Sequence, residues 1–193
     1  NPFRFGFIGS TDTHLGAAGA ISESGFPGHG GAGIPAGEEV PPGLPDLLEY
    51  SPGGIAVLWA EENTRESLFK AMQRREAYAT SGPRILTRFF GGSKLPRDMC
   101  QSKNFAQTGY ELGVPMGAQL DSSEGQSAPR FALLAAKDAD SHGIERIQII
   151  KGWLDEDGAR QEAVYDVVES ANQATIDEDT CVVSGSSATE LCG

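Results

Sequence analysis

The sequence predicts an α/β segment over residues 1–84, followed by an antiparallel β-rich, sandwich-like module over residues 85–193. Three observations carry this reading. The continuous apolar run Ile55–Ala60 suits a strand buried on both faces. Directly after it, Asn63 and Glu66 stand at the spacing of a capping box in front of a helix-period segment. From Ile85 onward the helical period gives way to strand-like runs separated by polar loops.

The elements follow in order. Arg4–Ile8 is short, apolar and bounded by Gly9-Ser10, and reads as a first buried strand. Leu15 to Leu44 is a Gly/Pro-dense loop, well beyond the roughly 15 residues of an ordinary connection. Ile55–Ala60 is the second strand and ends at Glu61-Glu62-Asn63. A helix is predicted from about Thr64 to Ala77, with Leu68, Phe69 and Met72 as its buried stripe. A short strand around Ala77–Thr80 completes a βαβ-like unit of the kind that closes an α/β barrel. In such barrels the C-terminal ends of the strands form the active face.

In the second half Ile85–Phe90, Arg130–Ala136, Glu145–Lys151 and Ala163–Val168 are the expected strands. Gly158 marks a hairpin turn between the last two, and Trp153 is read as a packing anchor rather than a carbohydrate platform. Residues 169–193 are rich in Ser, Thr and Asp and read as loop, or as strands whose partners lie elsewhere.

Charge narrows the function classes. Residues 1–97 carry nine Lys/Arg against ten Asp/Glu, whereas residues 98–193 carry six against seventeen. So acidic a half argues against nucleic acid or an anionic membrane as partner. The longest wholly apolar stretches, Ile55–Ala60 and Phe131–Ala136, are six residues each, far short of the roughly 18–20 that span a bilayer, so no membrane insertion is expected. Cys100, Cys181 and Cys192 lack CxxC spacing, which speaks against a zinc knuckle. Two of them can pair in an oxidising compartment, and which two is open.

The chemistry-bearing residues lie mostly in the first half. Asp12 and His14 follow the first apolar run as Asp-x-His, and a strand points residues i and i+2 to one face. A carboxylate and an imidazole together suit a divalent metal such as zinc, manganese or iron better than calcium. The same residues also serve as ordinary caps and loop hydrogen-bonders. In Phe26-Pro-Gly-His-Gly-Gly-Ala-Gly33, the backbone N–H groups of Gly30 and Gly31 can hold an anion, and His29 can ligate a metal or donate a proton. No Lys-Ser/Thr follows these glycines, so this is not a nucleotide loop. Glu61 and Glu62 can supplement a metal site or orient a ligand imidazole, and capping with solvent exposure is the alternative. Arg84, leaving the turn Thr80-Ser-Gly-Pro, can clamp a phosphate or carboxylate or form a surface ion pair. No Gly-x-Ser-x-Gly elbow occurs.

Several segments together resemble a bacterial family of long proteins, a domain family of unknown function. They are Phe5–His14, Gly28–Gly33, Ser51–Arg65, Arg75–Arg84 and Arg146–Asp155. That family is similar to the polymerase and histidinol phosphatase (PHP) superfamily of metal-dependent phosphoesterases. The resemblance covers the chain to about Asp166 and implies a C-terminal segment of a PHP-like α/β barrel carrying the β-rich module. Asp12 and His14 match the superfamily's last metal motif, Asp-x-His after a barrel strand. Its earlier His-x-His is absent from these residues, which implies that the remaining ligands come from an N-terminal part of a longer protein. The implied activity is hydrolysis of a small-molecule phosphate ester by metal-activated water, in a bacterial periplasmic or exported setting. The alternative is a non-catalytic module, a relict barrel carrying a β-sandwich for protein or glycan contact.

Overall fold

The computed structural model describes residues 4–10, 54–120, 128–141, 143–170, 175–177, 180, 183–184 and 188–193. Among these, the chain runs β1 (Ala56–Leu58), α1 (Arg65–Arg74), β2 (Ala77–Ala79), β3 (Leu86–Gly92), a 3-10 turn (Met99–Gln101), α2 (Phe105–Leu112), β4 (Val114–Pro115), β5 (Arg130–Ala136), β6 (Arg146–Leu154), β7 (Arg160–Glu169), β8 (Thr175–Ile176), β9 (Val183–Ser184) and β10 (Glu190–Cys192). The described residues are thus β-rich, in small antiparallel sheets, with few helices and no closed barrel. No helix among them is long and apolar enough to cross a membrane. The chain divides into two compact units. The first comprises Asn1–Ile85, Val114–Asp121 and Asp138–Ser141, and the second comprises Leu86–Gly113, Ser122–Lys137 and His142–Gly193.

In the first unit β1 and β2 pair antiparallel, Ala56 opposite Ala79 and Leu58 opposite Ala77. This corrects the expected βαβ unit, whose strands would run parallel. A hydrophobic period identifies a strand without giving its direction, and the connection through α1 here returns the chain antiparallel. Helix α1 starts one residue later than the Asn63 cap predicts. Thr64 is the N-cap, its Oγ1 accepting the Ser67 N–H at 3.3 Å, and Ser67 Oγ accepts the Glu62 N–H at 3.2 Å. Glu66 instead pairs with Lys70 one turn on, at 2.7 Å. The helix stops at Arg74 because Arg75 takes the left-handed conformation (φ 61°), its N–H turned back onto the Ala71 and Met72 carbonyls. Gly117 packs directly on that bend: a Cβ there would lie 2.0 Å from the Arg75 carbonyl oxygen.

The expected stripe on α1 is also corrected. Ala71 is the buried position, while Phe69 and Met72 are exposed and, with Arg65, Glu66 and Leu68, line an open groove. Nor do residues 4–10 form a strand; Phe5, Phe7 and Ile8 are exposed rather than buried. The chain passes so close to the end of α1 that a Cβ on Gly6 would stand 2.9 Å from Arg75 Cγ. Glycine is therefore the residue facing the fold, and its large neighbours turn outward.

The second unit is built on β10-β5-β3, each neighbour antiparallel, with Leu86 opposite Ala136 and Cys192 opposite Leu134. Phe90, Leu95, Met99, Phe105 and Ala132 form its apolar core. Phe90 meets Phe105 and Tyr110 edge-on, at centroid distances of 5.8 and 5.1 Å. Helix α2 is absent from the sequence reading, and Gly109 explains why. Glycine inside a helix costs about 1 kcal/mol relative to alanine, yet a Cβ there would sit 2.5 Å from the Phe90 ring. Packing overrides propensity. Strands β6 and β7 form the hairpin expected around Gly158 (φ 80°), with a register shift between Ile147 and Gln148. Trp153, expected as a packing anchor, is instead 40 % exposed, with the Lys151 ammonium 4.9 Å from its ring centroid. A disulfide joins Cys100 to Cys192.

Candidate functional site

Asp12, His14, His29, Gly30 and Gly31 lie outside the described residues, and the site geometry that can be stated concerns Glu61, Glu62, Arg84 and their surroundings. The antiparallel register decides how these three relate. Glu61 and Glu62 leave the β1–β2 ribbon at the end where Leu58 faces Ala77; Arg84 leaves it at the end where Ala56 faces Ala79. Whether Glu61 and Glu62 share a face with Asp12 and His14, as the sequence reading expects, lies outside the described residues, whereas Arg84 stands at the opposite end of the ribbon from them.

At the first end, Glu61 and Glu62 are exposed, and the Glu62 backbone is tied down by Ser67 Oγ. Beside them lies an acidic residue that the sequence reading did not single out. Glu76 is 3 % exposed. Its Oε2 accepts from Arg74 Nε and Nη2 at 3.4 and 3.3 Å, and Arg74 Nη2 also donates to the Trp59 carbonyl at 3.3 Å. The Trp59 N–H in turn donates to the Glu76 carbonyl at 3.0 Å. Glu76 was hidden by the helix expected through Ala77, which makes it one more charge on a solvated face. The usable signal was the charged triplet Arg74-Arg75-Glu76 running straight into the alternating Ala77-Tyr78-Ala79. Chemically this is a one-sided ion pair: a buried carboxylate held by a guanidinium that is itself half exposed.

At the other end Thr80 is buried, exchanging two hydrogen bonds with Ile55: its N–H donates to the Ile55 carbonyl at 2.9 Å, and its Oγ1 accepts the Ile55 N–H at 3.0 Å. Asp138 then fixes the exit of the turn. Its Oδ2 accepts the Arg84 N–H at 2.8 Å and its Oδ1 the Asp140 N–H at 3.0 Å. The Arg84 backbone is thus anchored while the residue as a whole is exposed. Among the described residues, no three His, Cys, Asp or Glu side chains gather closely enough to hold a metal ion.

No curated protein and no solved structure matches the chain. A family model does, over residues 1–191, and its description is "Protein of unknown function (DUF3604)". With nearly the whole sequence inside that match, the chain belongs to the DUF3604 family.

Proposed function

We propose that the protein is a metal-dependent hydrolase acting on a small phosphate ester, with Asp12 and His14 as two of its metal ligands. The observation that carries this is the Asp12-Thr13-His14 motif directly behind the apolar run Phe5–Ile8. The donor chemistry fits a zinc, manganese or iron ion, and the remaining donors lie outside this pair. Such an ion, when bound, lowers the pKa of a coordinated water and offsets charge on phosphoryl oxygens. The chain's own residues do the rest. His29 donates a proton or completes the ligand set, and the N–H groups of Gly30 and Gly31 receive a phosphate oxygen. Arg84 clamps the same anion, helped by a backbone already fixed on Asp138. Glu61 and Glu62 leave the opposite end of the β1–β2 ribbon from Arg84, so the anion site of this reading is assigned to Arg84 and not to them. This reading takes residues 1–84 as part of a PHP-like barrel by resemblance alone, since the antiparallel β1–β2 pair does not supply two of its parallel strands.

The test is metal analysis of the full-length protein with phosphomonoester and phosphodiester turnover, in wild type, Asp12→Ala and His14→Ala. Loss of a ligand lowers metal content and abolishes turnover while the β-rich unit stays folded. Unchanged metal content and activity in both variants overturn the assignment.

A second reading, a non-catalytic contact module, draws on one observation. The β6–β7 hairpin exposes Ile150, Leu154, Val164 and Tyr165, a large apolar display for one two-stranded ribbon. Absence of bound metal and of turnover in the full-length wild type would favour it.

A further inference from the structure

We infer that the Cys100–Cys192 disulfide is the clasp that holds the C-terminal strand on the second unit, and that the chain therefore reaches its stable form in an oxidising compartment. The bond joins the 3-10 turn Met99–Gln101 to β10, two segments separated by 92 positions in the sequence. The strand it retains is short and lies at the edge of its sheet. β10 is three residues long and pairs with β5 only from Glu190 opposite Ala136 to Cys192 opposite Leu134. Gly193 adds a reciprocal pair with Leu133, at 2.7 and 3.0 Å, and the Thr189 and Ala188 carbonyls each accept one further N–H. An edge strand this short opens at lower cost than the centre of its sheet.

The clasp's other side is anchored in the buried part of the second unit. Met99, next to Cys100, is almost wholly buried with Phe90, Leu95 and Phe105, and Cys192 packs against that same cluster. The disulfide thus fastens a three-residue edge strand to the buried apolar cluster. It matters beyond β10 as well, because Gly193 lies so close to β7 that a Cβ on it would be 2.3 Å from Val167 Cγ1. Release of β10 removes what the base of the β6–β7 hairpin rests on.

Closing so long a loop restricts the unfolded chain strongly, so the bond has a large effect on stability. Its formation is a thiol–disulfide exchange. The Cys100 and Cys192 thiols lose two protons and two electrons to an oxidant disulfide, which leaves as its dithiol. A reducing cytosol opposes that step, whereas a periplasmic or extracellular setting drives it.

The experiment uses the full-length protein isolated after export to an oxidising compartment. Peptide mapping without reduction should yield one linked species containing Cys100 and Cys192, and Cys181→Ser should leave that species in place. Dithiothreitol on the folded wild type should lower the thermal midpoint by roughly 5–15 °C. It should also strip hydrogen-exchange protection from residues 188–193 before α2 and β3 lose theirs. Cys100→Ser/Cys192→Ser should match the reduced protein, and if that variant fails to fold, reduction of the wild type still decides. Free thiols at both positions, a bond from Cys181 to either one, or an unchanged midpoint on reduction would overturn the inference.

Discussion

The β1–α1–β2 region of the first unit and the β10-β5-β3 sheet of the second hide different things. In the second unit the buried side chains are Phe90, Leu95, Met99, Phe105 and Ala132, an apolar cluster that interlocks with a glycine of α2. In the first they include Glu76 and Thr80, while Phe69 and Met72 stand open. One region is held by volume and the other by polar bonds. An apolar side chain of Phe or Leu size contributes about 1.5–3 kcal/mol when fully buried. A typical hydrogen bond adds about 0.5–1.5 kcal/mol net, but an orphaned buried polar group costs more than the bond was worth. The two regions should therefore fail under different substitutions.

The largest effect belongs to the second unit. Phe90→Ala empties the centre of the cluster and should destabilise it by about 3–5 kcal/mol, read by denaturant or thermal unfolding. A cost below about 1 kcal/mol would mean that the cluster collapses around the gap and is not the jigsaw its ring contacts suggest.

Glu76→Ala comes next, at about 1–3 kcal/mol, since it removes an acceptor of two Arg74 bonds from a buried position. The half-exposed guanidinium can rehydrate, which keeps the figure below that of a fully buried pair. Equal stability of wild type and variant would break the polar account of the first unit. Phe69→Ser on the same unit's helix should change stability by no more than about 0.5 kcal/mol, because that side chain is already 57 % exposed. A larger loss would show that the α1 groove is covered in solution.

The same contrast explains what could be read from the sequence. Strand β5 is legible to the residue because Phe131–Ala136, behind Arg130, is a short continuous apolar run that lies inside its sheet. The β6–β7 hairpin was legible through alternation and a glycine turn. Where polar bonds decide, periodicity misled. The register of the α1 cap turned on whether Asn63 or Thr64 receives the Ser67 N–H, and the burial of Glu76 turned on the helix ending three residues before Ala77. Strand direction is legible in the second unit, where the expected antiparallel pairing is what β3–β5 and β6–β7 adopt, but not between β1 and β2, so the placing of Glu61, Glu62 and Arg84 at opposite ends of one ribbon needs the structure. For Arg4–Ile8 an apolar run predicts a buried strand, whereas a close approach at Gly6 sets the orientation.

The smallest predicted effect separates two parts of the second unit. The tip of the β6–β7 hairpin, unlike the sheet, is organised by one carboxylate. Asp155 Oδ1 accepts the Asp157 and Ala159 N–H groups at 3.1 and 2.8 Å, and Oδ2 accepts Gln161 Nε2 at 2.7 Å. The Gln161 amide first, then the Ala159 N–H, hold this carboxyl below its ordinary range, with slight desolvation opposing them. A carboxyl whose folded pKa is depressed contributes stability that is complete above its unfolded value, about 3.9, and is lost as pH falls through the lower folded value. Acidification below about pH 4 should therefore loosen the tip, seen as faster amide exchange at Gly158 and Ala159 after correction for the intrinsic rate. The amides of β3 and β5, which no such group governs, provide the internal reference. Asp155→Asn keeps an oxygen acceptor but cannot titrate, so its tip-to-sheet exchange ratio should stay flat over the same range. If wild type and Asp155→Asn show the same acid response, the tip is held by its backbone bonds alone, Asp155 N–H to the Ala159 carbonyl and Gly158 N–H to the Asp155 carbonyl, and the carboxylate is incidental to it.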